Sequence, residues 1–175
     1  SLAASGRKLI LLTVHRRENH LQLPQIFDAV ERLADSHPDI EIVYPVHPNP
    51  IVLEAAEQLN YHPRIRLVEP LDVFDFHNLA ARATLILTDS GGIQEEAPSL
   101  GVPVLVLRET TERPEGVAAG TLKLVGTDPE RIYETGHLLL TDQAAYDAMA
   151  QAANPYGDGH AAERIVDAIL SEVPV

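Results

Sequence analysis

The chain contains no cysteine, which excludes disulfides and thiolate metal sites. Basic residues are scarce. Thirteen Lys and Arg stand against 26 Asp and Glu, a formal net charge of -13. That balance argues against nucleic acid and anionic membranes as partners, because both need clustered positive charge. Phosphate binding stays open, since it needs only a local cluster of N–H donors and one or two Arg. No apolar run approaches the ~20 residues of a membrane span. There is no G-x-G-x-x-G after the first apolar run and no Walker A motif, so a dinucleotide or ATP finds little support. The eight His show no metal-ligand spacing. Repeats and low-complexity segments are absent. The opening "SLAASGRKLILLTV" carries its charges in the middle, unlike a signal peptide, and its apolar run reads as a first strand. A soluble cytoplasmic protein is expected. The chain has no initial Met and is expected to be a piece of something longer.

What is present is an alternation of strand-like and helix-like patterns. The 175 residues, 45% hydrophobic, suit one compact domain. Strands are expected at Lys8 to Val14, Ile40 to Val46, Ile65 to Val68, Thr84 to Thr88, Val102 to Leu107 and Leu122 to Val125. Their near-continuous apolar character fits a parallel sheet covered on both faces. Helical spacing marks Pro24 to Ser36, Pro50 to Leu59, Asp72 to Ala83, Ile93 to Leu100, Asp128 to Leu140, Asp142 to Ala153 and Ala161 to Val173. The expected fold is α/β, a doubly wound parallel sheet of Rossmann-like type. Ligands of such sheets bind outside the carboxyl ends of the strands, so function is sought in the residues that follow each strand.

Four such stretches carry chemistry. After the fourth strand comes "TDSGGIQEEAP". Ser90, Gly91 and Gly92 allow a sharp turn and close approach of a ligand to backbone N–H groups. Equally, Asp89 or Ser90 could simply cap the helix, with the glycines making the turn. Glu95 and Glu96 are either solvated first-turn acids or acceptors for a ribose. Pro98 should bend or shorten this helix. After the first strand, "HRREN" brings an imidazole and two guanidiniums together, suited to phosphate contacts and proton transfer. The alternative is a solvated loop in which Arg16, Arg17 and Glu18 pair among themselves. After the second strand, "YPVHPNP" holds His47 between prolines, and its role stays open. After the fifth, "RETTERPEG" places Arg113 before Pro114, which should hold its backbone extended and its guanidinium fixed. Phe76 has core-like spacing with Val73, Leu79 and Ala80, yet could stack on a base if its helix start faces the cleft.

"HRREN", "YPVHPNP", "LTDSGGIQEEAPSLGVPVLVLRETTERPEG" and "NPYGDG", in this order and spacing, resemble the carboxyl-terminal half of the non-hydrolysing UDP-N-acetylglucosamine 2-epimerases. The resemblance covers essentially the whole chain. It implies one half of a GT-B-type two-domain fold, with the active site between two Rossmann-like domains. The implied reaction interconverts UDP-N-acetylglucosamine and UDP-N-acetylmannosamine through anti elimination of UDP and re-addition to a 2-acetamidoglucal, without nicotinamide or metal. The product feeds surface polysaccharide synthesis. The resemblance implies that Ser90, Gly91 and Gly92 bind the UDP phosphates, that Glu96 holds the ribose, and that Arg113 contacts the diphosphate region. Phe76 and the backbone at Leu71 would border the uracil, and His15 would help UDP leave and return. Arg16 and His47 match positions lining the effector site where bacterial members bind a second UDP-N-acetylglucosamine. Residues 1–153 would form the UDP-binding domain. Residues 154–175 would pack back toward an amino-terminal domain that carries the acidic groups handling the C2 proton. The intact protein would be a homodimer, and the fragment by itself inactive. Val14 stands where relatives often have Ala or Gly, and "NHLQLPQ" lacks a glycine often found there. A GT-B glycosyltransferase and a non-catalytic sugar-nucleotide sensor remain as rivals. A hydrolysing epimerase is a nearer cousin.

Overall fold

The computed structural model describes residues 6–172. Within β1 (Lys8–Thr13) the side chains alternate between two apolar clusters. Ile10 and Leu12 belong to one, Leu9 and Leu11 to the other. A period of two on a sheet covered on both sides requires this arrangement. The remaining elements follow in strict alternation at first: α1 (Leu23–Ser36), β2 (Ile40–Pro45), α2 (Pro50–Ala56), β3 (Ile65–Val68), α3 (Val73–Ala80), β4 (Ala83–Thr88), α4 (Gly91–Glu96), β5 (Val104–Val106), α5 (Pro114–Ala119) and β6 (Leu122–Leu124). Three helices close the described chain, α6 (Pro129–Thr141), α7 (Gln143–Ala150) and α8 (Ala161–Glu172).

The six strands form one parallel sheet in the order β3-β2-β1-β4-β5-β6. One face is sealed by α1, α2 and α6 through Ile26, Phe27, Leu33, Val52 and Ile132. The other is packed by α3, α4 and α5 through Phe76, Leu79, Ala80, Ile93 and Val117. The strand order reverses direction between β1 and β4. At such a switch point the connecting helices depart to opposite faces, and the strand ends below are left uncovered.

The expected doubly wound sheet is observed, with shifts at element ends. The second helix ends at Ala56 and continues as a 3-10 turn, Glu57–Tyr61. The helix expected at Ile93 to Leu100 begins two residues earlier and stops at Glu96. Pro98 cannot donate to an α-helical ladder, and the chain tightens into a 3-10 turn, Ala97–Leu100. Gly101, at φ +67°, takes the left-handed conformation that ends this turn cheaply. Two short elements lie outside the expected helices and strands, the 3-10 helix Arg17–Gln22 and α5. Both are too short to display apolar periodicity. The expected end of the last helix, Val173, lies outside the described residues. From Ala161 to Ser171, α8 is solvent-exposed, including Ile165, Val166, Ile169 and Leu170.

Candidate functional site

Adjacent pairing of β1 and β4 sets Thr13 opposite Thr88, and their buried hydroxyls lie 2.7 Å apart. Two loops therefore leave the sheet side by side. One carries His15 to Asn19, the other Asp89 to Gly92.

Asp89 joins them. Its side chain is wholly buried. A buried carboxylate is tolerable only where donors converge on it. Asp89 Oδ2 accepts the backbone N–H groups of His15 at 3.0 Å and Arg16 at 2.8 Å, and the Asn19 side-chain amide at 3.1 Å. Asn19 also donates to the Leu107 carbonyl at 2.9 Å, tying in the end of β5. Asp89 thus does not cap its own helix. Ser90 holds the N-cap position of α4 without a side-chain capping bond. Sequence reasoning flagged Asp89 only as a cap. An acid directly at the end of a buried strand was the available signal.

His15 is half-buried, its Nδ1 3.8 Å from Asp89. Its ring stacks on His47 at 5.0 Å between centroids and 11° between planes. Burial lowers the His15 pKa below 6.5. The Asp89 charge opposes this, while His47 and Arg16 reinforce it. The balance shifts the imidazole toward its neutral, proton-accepting form. The Tyr44 hydroxyl donates to the Val14 carbonyl at 2.6 Å and fixes the backbone just before His15.

Arg16 and Glu18 pair with residues of the loop after β5, not with each other. Arg16 Nη2 donates to Glu112 at 3.2 Å. Arg108 is buried to 9% exposure and bridges Glu18, at 2.6 Å, and Glu112. The Glu112 carboxyl is held below the usual carboxylate range by a hydrogen bond from its own backbone, then by Arg108 and Arg16. Glu112 also lies against the glycine turn. A Cβ on Gly91 would sit 2.6 Å from Glu112 Oε1, the tip of a part-exposed side chain that would have to swing aside. In this state a carboxylate, with two guanidiniums around it, occupies the space above Gly91.

Arg113 occupies the N-cap position of α5, with φ -124° and ψ 57°. The angle ψ is smaller than an extended residue before proline would show, because the chain already turns into the helix at Pro114. Its Nε donates to Glu95. Glu95 is therefore a part-exposed acid paired with Arg113. Glu96 lies 3.2 Å from His77 on α3, and His77 contacts Phe76 edge-on at 6.4 Å. Phe76 is partly buried against the second apolar cluster, as its spacing suggested. Leu71 sits half-buried just before Asp72, whose side chain caps α3 by accepting from Asp75 N at 2.9 Å.

The sequence-derived candidates thus gather along one edge of the sheet, with contacts linking His47 to His15, Arg16 to Gly91 through Glu112, and Glu96 to Phe76 through His77. A recess of about 500 Å³ between α2 and β3, lined by Val46, Leu53, Leu67 and Pro70 among others, includes none of them. Among the described residues, no group of three or more His, Asp or Glu is placed to hold a metal. No helix among them is long and apolar enough to cross a membrane.

A Rossmann-like sheet with its polar residues gathered at the strand exits defines the class: an α/β domain organised around a switch-point crevice. The family model for UDP-N-acetylglucosamine 2-epimerase matches residues 2–170, and the chain belongs to that family. The UDP-N-acetylglucosamine 2-epimerase of Bacillus subtilis (strain 168) is 59% identical over 165 residues, 93% of this chain and 43% of the relative. A co-structure of S. aureus MnaA with UDP superposes with a TM-score of 0.92 at 52% identity, over 99% of this chain and 49% of that one. A UDP-GlcNAc 2-epimerase from Neisseria meningitidis bound to UDP-GlcNAc gives 0.89 at 46%, over 95% and 45%. The chain thus spans less than half the length of these relatives.

Proposed function

We propose that this chain is the UDP-binding half of an enzyme that interconverts UDP-N-acetylglucosamine and UDP-N-acetylmannosamine. The observation that carries the reading is the β1–β4 pairing, which sets a half-buried histidine and two guanidiniums beside a glycine turn. Family membership and the ligands named for the S. aureus and N. meningitidis proteins support it.

The Ser90 hydroxyl and the backbone N–H groups of Gly91 and Gly92 receive the diphosphate, the Ser90 N–H being already donated to Thr88 Oγ1 at 3.0 Å. First-turn N–H groups have no partner inside their helix. The incoming phosphate displaces Glu112 from Arg16, one anion replacing another. Arg113 exchanges Glu95 for the diphosphate region, and Glu96 exchanges His77 for the ribose hydroxyls. Phe76 and the Leu71 backbone border the uracil. Charge grows on the leaving oxygen as the C1–O bond breaks, and donors already placed there stabilise that state more than the ground state. His15 donates to or shields that charge and assists the return of UDP. Arg16 and His47 line an effector pocket for a second UDP-sugar.

The group that takes and returns the C2 proton belongs to an amino-terminal domain. Together the two domains form a GT-B-type pair. Residues 1–153 form the nucleotide domain. Residues 154–175 pack toward the other domain, a role supported by the exposed apolar stripe of α8. The whole enzyme is a cytoplasmic homodimer.

The test is proton exchange. The full-length protein with UDP-N-acetylglucosamine in deuterated water, without acceptor, should form the manno isomer carrying deuterium at C2. Sugar transfer to an acceptor without exchange would establish a glycosyltransferase instead. Free UDP with N-acetylmannosamine would establish a hydrolysing enzyme. The isolated chain should bind UDP weakly and exchange nothing, and exchange by the isolated chain would overturn the division of labour.

A further inference from the structure

Gln94 lies in the middle of the glycine-turn helix and is completely buried. Its side chain makes two hydrogen bonds. Nε2 donates to the Ser90 carbonyl at 3.2 Å, and Oε1 accepts the Thr111 hydroxyl at 2.5 Å. Thr111 Oγ1 in turn accepts the Arg113 backbone N–H at 3.0 Å. The direction of this chain is forced. A backbone carbonyl can only accept, so the Gln94 amide nitrogen faces Ser90 and its oxygen faces Thr111. Thr111 has one proton, which goes to Gln94, leaving a lone pair for Arg113.

We infer that Gln94 and Thr111 are positioning residues that align the two diphosphate-binding parts of the site. The inference rests on the nucleotide reading given above. Its physical basis is peptide planarity. The Ser90 carbonyl and the Gly91 N–H belong to one planar trans unit and point in opposite directions. Two donors hold that carbonyl inward, the Gln94 backbone N–H at 3.3 Å and the Gln94 side chain. The Gly91 N–H is thereby aimed outward toward the anion. The other end of the chain fixes the Arg113 backbone, so the reach of its guanidinium is referenced to the same peptide. Neither Gln94 nor Thr111 touches the ligand.

The test uses the full-length protein and two ligands, UDP and uridine, measured by calorimetry. Gln94→Leu removes both bonds at similar volume, and Thr111→Val removes the hydroxyl at equal volume. Each should weaken UDP binding about tenfold, the cost of misaligned donors, while uridine changes by less than about twofold. Thr111→Ser should restore UDP affinity. The double variant should bind UDP no worse than either single variant, since one chain is cut once or twice. If Gln94→Leu does not fold, Thr111→Val on its half-buried loop carries the test alone. Unchanged UDP affinity in Thr111→Val, or equal loss for UDP and uridine, overturns the inference and leaves the nucleotide reading standing. A wild-type protein that binds no UDP overturns that reading, and the inference with it.

Discussion

Two histidine pairs occupy opposite ends of the sheet. At the carboxyl ends, His15 stacks on His47 at 5.0 Å. At the amino ends, His37 Nε2 and His137 Nδ1 share a hydrogen bond of 3.1 Å between α1 and α6, with Tyr133 stacked on His137. Burial lowers the pKa of both His15 and His37, and a neighbouring imidazole adds to the effect. By pairing and by titration the two look alike. They differ in what surrounds them. His15 has a buried Asp89 behind it, Arg16 beside it and an open strand exit in front. His37 is packed between helices, with Asp39 and Lys8 the other charges that act on it. A paired, shifted histidine is therefore no sign of a site by itself. Its position relative to the strand ends decides.

Substitutions should separate the pairs. In the full-length protein, His15→Ala should lower turnover by roughly 10²–10⁴-fold, the usual worth of a positioned proton-transfer group. UDP affinity, from calorimetry, should fall far less, and unchanged turnover would remove His15 from the mechanism. Asp89→Ala should cost roughly 3 kcal/mol or more in denaturant unfolding, because several buried donors lose their acceptor together. A cost below about 1 kcal/mol would mean that the two loops hold themselves. His37→Ala should cost about 1–2 kcal/mol and leave UDP affinity unchanged.

That last variant also tests the pH dependence. A histidine with a lowered folded-state pKa takes up its proton later in the native state than in the unfolded chain. Its contribution to stability is present above the ordinary value of 6.5 and is lost as pH falls through the lower folded value. Stability of the wild type should therefore decline as pH falls from about 6.5 toward the folded value, and level off below it. His37→Ala should flatten the decline. Equal slopes in the two proteins would show that His37 is not the group responsible. The smallest effect distinguishes the site pair. A bound diphosphate opposes the effect of burial at His15 and raises its pKa. UDP binding near pH 6 should then take up a fraction of a proton, read from calorimetry in buffers of different ionisation heat, and His15→Ala should abolish that uptake.

The fold was legible because its strands are apolar runs of the right length, broken by helical stripes. Strand exits were legible for the same reason, and with them His15, Arg16, His47, Ser90 and Arg113. The residues that organise those exits were not. Gln94 is a polar residue in a six-residue helix, and nothing in a one-dimensional pattern tells a buried glutamine from a solvated one. Thr111 sits among charges in a loop. Asp89 was visible as an acid at a strand end, but its donors lie 70 or more positions away along the chain. Burial and long-range hydrogen bonding are products of the tertiary structure, and local patterning carries no trace of them.

The parallel register between β1 and β4 has one more consequence. With Thr13 locked opposite Thr88, the spacing between the histidine loop and the glycine turn is graduated like a ruler. A one-residue slip would move one exit by about 3.3 Å and turn every side chain of that strand to the opposite face. Intermediate settings do not exist. Drift in sequence can reshape the loops above this edge by small steps, but the baseline from which they rise changes by a whole notch or not at all.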